Sequence, residues 1–204
     1  MRDYSIKLIS KKEVGELLSR FHYLSKQGFG FRSGFNFGLF IEDKLIGVAI
    51  FHNITGKGTA LGCFGLKPGE QEGLYELGRL ALDPSEYEKN LTSWFLSKSI
   101  KLLRKTTNVR AILSYADTSF HVGYIYQATN FEYYGLTAQQ IDFWELKDDG
   151  TYKRVQRGKV RGLRGEYRKR PRKHRYLLIY DKDLKCKWPK TPYPKGNNIS
   201  EYNK

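Results

Sequence analysis

Two cysteines in 204 residues, no stretch near the ~18 apolar residues of a membrane helix, and no apolar leader in the opening MRDYSIKLISKKEV set the first limits. Cys63 and Cys186 lie in distant parts of a chain without an export signal, which argues against a disulfide framework and a cysteine-based zinc site. The expectation is a protein of the reducing cytoplasm, that of the host cell if a phage encodes it, with no membrane partner. Local catalytic signatures are missing as well. There is no Walker sequence, no GxGxxG after a strand, no HExxH and no CxxC pair, so nucleotide hydrolysis, dinucleotide redox chemistry and zinc hydrolysis lack their usual marks.

Acidic residues are scarce in one part only. Residues 151–204 carry 18 basic and 4 acidic side chains, whereas residues 1–150 carry 18 and 17, so nearly all of the net +15 arises after residue 150. Such asymmetry points to a polyanion, most simply nucleic acid. The length suits one core. The division it suggests is a domain over 1–150 and a basic extension over 151–204, packed on the same domain and in contact with DNA. Tyr152, Val155, Val160, Leu163, Tyr167 and the strand-like run Tyr176-Leu177-Leu178-Ile179-Tyr180 argue that this extension is ordered.

Apolar spacing places the elements. Ser10-Lys11-Lys12-Glu13 is a capping box, and Val14, Leu17, Leu18 and Phe21 then share one helical face, predicting a helix over about 11–21. Its end delivers His22 and Tyr23 into the aromatic, glycine-rich loop GFGFRSGFNFG. Strands are predicted at Phe37–Ile41 and Leu45–Phe51, joined as a hairpin, and at Leu74–Leu82. Gly56, Gly58, Gly62 and Gly65 predict loop and short strand between them. A helix over about Leu91–Lys105, a buried strand Val109–Ala116, a short helix from His121 to about Thr129 and a strand at Phe131–Tyr134 follow. The pattern is α/β (α+β), a mixed sheet with helices against it.

The densest polar constellation runs from Ser114 to Asn130, off a buried strand into a helix. It brings Asp117, His121 and Tyr126 to the carboxyl edge of the sheet, where open sheets place their ligands. A helix N-terminus disfavours the cationic form of His121, which suits a base or a ligand. Asp117 is equally suited to capping that helix.

With its flanks, this region resembles the Mom family of bacteriophage DNA-modification proteins, which are similar in fold to GCN5-related N-acetyltransferases. The resemblance is carried by His22-Tyr23, Glu76-Leu77-Gly78-Arg79-Leu80, Ser114-Tyr115-Ala116-Asp117, His121-Val122-Gly123, Tyr126-Gln127-Ala128-Thr129-Asn130-Phe131, Pro171-Arg172-Lys173-His174-Arg175-Tyr176, Trp188-Pro189-Lys190 and Pro192-Tyr193-Pro194-Lys195, in that order. It implies a mainly antiparallel acetyltransferase-like sheet with a splayed cleft. It also implies an enzyme that adds a carbamoylmethyl-type group to the N6 amine of adenine in double-stranded DNA, shielding that DNA from restriction enzymes. His22, Tyr23, Arg79 and Ser114 are then expected in one site with Asp117, His121 and Tyr126. One departure stands out. The segment Asp83–Ser93, where acetyltransferases carry the R/Q-x-x-G-x-G/A loop for the pyrophosphate of acyl-CoA, has no glycine and three carboxylates, which weakens the case for an acyl-CoA donor. Thr92 and Ser93 at the helix start are left to hold a smaller anion.

The exocyclic amine of adenine is a poor nucleophile because its lone pair is delocalised into the ring, so transfer to it needs proton removal or a strongly activated donor. Asp117 is the first choice for accepting that proton. Arg79, costly to bury alone, is expected to hold an anionic part of the donor. His22, Tyr23 and Asp117 also have the ligand types that suit Fe(II) or a similar ion, and they suit a hydrogen-bonded cluster without metal at least as well. A paired N6 amine requires the base to leave the stack. Phe29, Phe31 and Arg32 are expected on the surface to grip it, with Phe35 and Phe37 in the core. Arg161, Arg164, Arg168, Lys169, Arg170, Arg172, Lys173 and Arg175 are expected on DNA phosphates. Two alternatives stand beside this reading: an acyl-CoA-dependent N-acetyltransferase of a protein or small amine, and a non-catalytic basic nucleic-acid-binding protein.

Overall fold

The computed structural model describes residues 3–22, 30–54, 57–155 and 158–196. Two sheets organise the chain, a seven-stranded one in the order β1-β2-β3-β4-β5-β10-β6 and a three-stranded one in the order β8-β7-β9. The large sheet contains β1 (Tyr4–Leu8), β2 (Phe35–Ile41), β3 (Lys44–Asn53), β4 (Leu74–Leu82), β5 (Ala111–Asp117), β6 (Glu132–Leu136) and β10 (Lys173–Ile179). The small one contains β7 (Gln140–Leu146), β8 (Tyr152–Val155) and β9 (Gly165–Arg170). The helices are α1 (Lys11–Phe21), α2 (Lys57–Phe64), α3 (Leu91–Thr106) and α4 (Tyr124–Gln127). No helix among the described residues is long and apolar enough to cross a membrane.

All pairings in the large sheet are antiparallel except β4 with β5, so the fold is mixed α/β, as the residue pattern indicates, with a mainly antiparallel sheet, as the family resemblance implies. The capping box of α1 forms: Glu13 N–H donates to Ser10 Oγ at 3.2 Å, and Ser10 N–H donates to Glu13 Oε2 at 2.7 Å. Val14, Leu17 and Leu18 then pack against Val48, Ile50 and Ala81 on one side of the sheet. On the other side α3 buries Leu91, Phe95, Leu96, Ile100 and Leu103. Each such side chain contributes about 1.5–3 kcal/mol of transfer free energy.

Two predicted segments turn out differently. Residues 57–64 form α2 despite Gly58 and Gly62, because Ala60, Cys63 and Phe64 are buried against Leu74, Leu113 and Leu177, and tertiary burial outweighs poor helix propensity. The helix expected from His121 shrinks to Tyr124–Gln127, since Gly123 takes φ 84 and starts the turn only there. A Cβ at Gly123 would lie 2.7 Å from Tyr176, so the close approach as well as the positive φ requires glycine. The stretch after residue 150 contributes to both sheets. β8 pairs with β7 across residue 150, and β10 lies between β5 and β6 in the interior of the large sheet. Cys63 and Cys186, far apart in sequence, meet with sulfurs 3.5 Å apart as free thiols.

Candidate active site

The site arises where two neighbouring strands separate. β4 and β5 pair in parallel from Leu74 with Ala111 to Leu77 with Ser114, and the pairing stops there. At that point β4 carries a bulge: Ile50 of β3 faces Arg79 and Phe51 faces Leu77, leaving Gly78 as the extra residue. The bulge brings the backbone of Gly78 against His52, so closely that a Cβ there would sit 2.3 Å from His52 Nε2. His52 is buried, and its Nδ1 donates to the Asn53 carbonyl at 2.9 Å. Beyond the bulge β4 stays with β3 to Leu82, while β5 stays with β10 to Asp117, and a cleft opens between the two halves of the sheet. Ser114 sits at its floor, fully buried, its hydroxyl donating to the Leu77 carbonyl at 3.2 Å across the last paired position.

The cleft is lined by His22, Glu76, Leu77, Gly78, Arg79, Leu80, Tyr115, Asp117, His121, Tyr126 and Lys173 and has a volume of about 120 Å³. That is small beside the roughly 300–1,000 Å³ of pockets that enclose a whole ligand. Five of the seven residues expected to form a site therefore share one cavity, and Ser114 lies directly beneath it. Tyr23, the seventh, lies outside the described residues.

Each member is positioned by a different element. His22 ends α1, its N–H donating to the Leu18 carbonyl at 2.9 Å. Arg79 is steered by two backbone acceptors, with Nη1 donating to Gly78 at 2.7 Å and Nη2 to Gly30 at 3.0 Å. Asp117 closes β5 and caps the following turn, accepting from the Ser119 N–H at 2.9 Å, so the capping role and the cleft position belong to one residue. Tyr126, on α4, is buried against Phe131 and Tyr176 and directs its hydroxyl toward the Tyr115 carbonyl. Tyr124, two residues earlier, is exposed and bonds the Gly196 carbonyl.

Burial sets the protonation states. It lowers the pKa of His22 to about 4, helped by the nearby positive charge of Arg79 and, once that imidazole is itself protonated in acid, of His121. Burial also lowers His121, with the Asp117 carboxylate partly opposing it. Both imidazoles are thus neutral at pH 7. The Tyr126 phenol is pushed up by burial, against an interaction with the Ser114 hydroxyl, and the Tyr115 phenol by burial and by the charge of Glu76. Burial lowers the Lys173 ammonium, with Asp117 and Glu76 holding it up. The cleft accordingly combines two carboxylates, two cations, two neutral imidazoles and two protonated phenols.

Glu76, Tyr115 and Lys173 join the site without having been singled out for it. Glu76 had a visible signal, a carboxylate inside the apolar strand LYELGRLAL, and Tyr115 stands beside Ser114. Lys173, expected on DNA phosphate, faces Asp117 across the β5–β10 ladder and lines the cleft.

The remaining expected residues are dispersed. Phe31, expected at the surface, packs against the apolar side of α1, where a Cβ on Gly15 would stand 3.8 Å from its ring. Arg32 is exposed, Phe37 is in the core, Phe35 packs against that core, and Phe29 lies outside the described residues. Thr92 and Ser93 occupy the first turn of α3, where Ser93 Oγ donates to the Asn90 carbonyl at 2.9 Å, and neither lines the cleft. The turn before them is closed on itself: Asp83 is buried and accepts from Ser85 N at 2.9 Å and Ser85 Oγ at 2.7 Å, and Lys44 pairs with Glu86 at 2.7 Å. Arg170 is bound to Asp142, Arg168 pairs with Glu166, Arg172 donates to the Thr137 carbonyl, and Arg175 lies over the Trp188 ring. Arg161, Arg164 and Lys169 are exposed. For Fe(II), the described residues bring together two of the three expected ligands, His22 and Asp117, and among those residues no group of three His, Cys, Asp or Glu side chains is placed to hold a metal.

Solved structures share this architecture at low sequence identity. The ribosomal-protein-S18-alanine N-acetyltransferase from Escherichia coli is 15% identical with a TM-score of 0.51, covering 87% of this chain and 94% of that one. An acetyltransferase of the GNAT family from Streptococcus pneumoniae is 13% identical with a TM-score of 0.52, covering 87% and 100%. A GNAT family acetyltransferase from Elizabethkingia anophelis, solved with acetyl-CoA bound, is 12% identical with a TM-score of 0.51, covering 87% and 98%. The fold is therefore that of the GNAT acetyltransferases. No curated protein sequence matches the chain. The model of the Mom protein family matches residues 3–195, nearly the whole length including every cleft residue, and the chain belongs to that family.

Proposed function

We propose that this protein is a group-transfer enzyme that modifies the N6 amine of adenine in duplex DNA with a carbamoylmethyl or related acyl-type group, protecting that DNA from restriction. Membership of the Mom protein family supports the reaction class, and the observation that carries the reading is the cleft itself. Glu76 and Asp117 face neutral His22 and His121 and a protonated Tyr126 at the point where the sheet splits. In this reading the N6 lone pair attacks the electrophilic carbon of the donor. The N–C bond forms as the bond to the leaving atom breaks, the Asp117 carboxylate takes the amine proton, and the Tyr126 phenol supplies a proton to the leaving atom. Arg79 and Lys173 hold negative charge on the donor, and Glu76 orients the amine or shares its proton. The carboxylate-lined turn at 83–93 favours a donor without the pyrophosphate of acyl-CoA.

Nucleoside mass spectrometry of plasmid DNA from cells producing the protein tests this directly. Adenine of increased mass is expected with the wild type, the added mass identifying the group. Glu76→Gln and Asp117→Asn are each expected to reduce modification by about 10²–10⁴-fold with the fold retained. Unmodified adenine in cells containing soluble protein overturns the proposal.

A further inference from the structure

We propose that the three-stranded sheet β7–β9 is an arm that docks duplex DNA beside the cleft, with Lys153, Arg161, Arg164 and Lys169 making the phosphate contacts. The inference rests on DNA as the substrate and adds which part of the chain holds it. Three observations carry it.

The arm is rooted at the cleft rim. The chain leaves the large sheet after Leu136 and re-enters it at Lys173, and the two ends are tied together. Thr137 N–H donates to the Lys173 carbonyl at 2.8 Å, and Arg172 Nε donates to the Thr137 carbonyl at 2.6 Å. Thr118 Oγ1, one residue beyond Asp117, donates to the Arg172 carbonyl at 2.8 Å. A polymer lying on the arm therefore passes the carboxylate end of the cleft.

The arm is also built to keep its shape while standing apart from the core clusters of the large sheet. Asp142 is buried and holds Arg154 at 2.9 Å and Arg170 at 2.6 Å on the same face. Arg168 lies 4.1 Å over the Tyr152 ring and 5.1 Å over that of Trp144. A Cβ on Gly165 would stand 2.0 Å from the Trp144 carbonyl, so β9 can approach β7 this closely only with glycine there.

That inner bonding leaves the charge unbalanced. Residues 140–170 hold ten basic and five acidic side chains. Asp142 is taken by Arg154 and Arg170, Glu145 by Lys147, Glu166 by Arg168, Asp149 accepts from Thr151, and Asp148 is exposed on the turn beside it. Lys153, Lys159, Arg161, Arg164 and Lys169 remain exposed with no ion pair among the described residues. By register, Lys153 and Lys169 share one face with Ile141 and Tyr167, which are 53% and 67% exposed. Strand spacings put the two lysines about 13 Å apart along the sheet and about 10 Å across it, far enough to meet separate phosphates.

The test is duplex-DNA binding by the full chain, read as fluorescence anisotropy with a labelled duplex over a salt series. Lys153→Ala/Arg164→Ala/Lys169→Ala is expected to flatten the slope of log K against log salt by about 2.7, which is roughly 500-fold weaker binding at 0.1 M salt, with an unchanged melting temperature. Lys105→Ala/Lys182→Ala/Lys185→Ala, the same charge change away from the arm, is expected to keep the wild-type slope. A wild-type slope in the arm variant, or equal losses in both variants, overturns the arm while leaving the DNA reading in place. A wild type that ignores duplex DNA, or binds only RNA, overturns both.

Discussion

Gly78→Ala puts the origin of the cleft to a direct test. The new Cβ would stand 2.3 Å from His52 Nε2 and 2.8 Å from its Cδ2, inside the distance that real methyl carbons tolerate. His52 has little room to yield, because it is buried and its Nδ1 is committed to the Asn53 carbonyl at 2.9 Å. Overpacking of this kind costs about 1–3 kcal/mol, and displacing the imidazole from its carbonyl adds about 1 kcal/mol. A loss of about 2–4 kcal/mol is therefore expected in denaturant titration. At about 2–4 °C per kcal/mol for a chain of this length, the melting temperature falls by roughly 4–16 °C. Removing the imidazole restores space, so the His52→Ala/Gly78→Ala double variant is expected to be less destabilised than the two single losses added together, by about 1 kcal/mol or more. Activity is the second readout, since relief of the bulge redirects Arg79 and lets β4 pair further along β5. A single variant within 0.5 kcal/mol of the wild type, or strict additivity in the double variant, refutes the claim that the Gly78–His52 contact shapes the cleft.

Three other outcomes follow from the same structure. Because the folded pKa of His22 lies near 4 and its ordinary value is 6.5, the unfolded chain binds the extra proton between those values; stability contributed by neutral His22 is full above pH 6.5 and is lost as pH falls to 4. That amounts to about 3 kcal/mol, and melting curves from pH 7 to 4 should fall more steeply for the wild type than for His22→Gln. Asp142→Ala removes the buried carboxylate that Arg154 and Arg170 share, and because both guanidiniums stay partly exposed it should cost the arm about 1.5–3 kcal/mol of local stability, seen as faster amide exchange in β7–β9 with protection of the large sheet unchanged. Phe31→Ala should lower global stability by about 2–4 kcal/mol in denaturant titration, because the ring packs on α1; an unchanged midpoint would mark it as a surface residue.

Local chemistry in the sequence determined a good part of this protein. The capping box and apolar spacing fix α1, the run LYELGRLAL fixes β4 from Leu74 to Leu82, and Asp117 after a buried strand marks the edge where the cleft opens. The ordered motifs from His22 to Lys195 indicate the family. Each of these depends on neighbouring residues or on the order of short segments, which a linear chain displays. What depends on distant partners was decided only by the tertiary structure. Residues 57–64 are helical because Leu74, Leu113 and Leu177 cover them, and Glu76, Tyr115 and Lys173 enter the site because β4, β5 and β10 are adjacent in space. Phe31 is partly buried against α1. The basic stretch shows the limit most plainly. Charge alone cannot separate an arginine held by a buried carboxylate, as Arg170 is by Asp142, from an exposed one such as Arg164, because the difference is made by pairing across strands 28 residues apart in sequence.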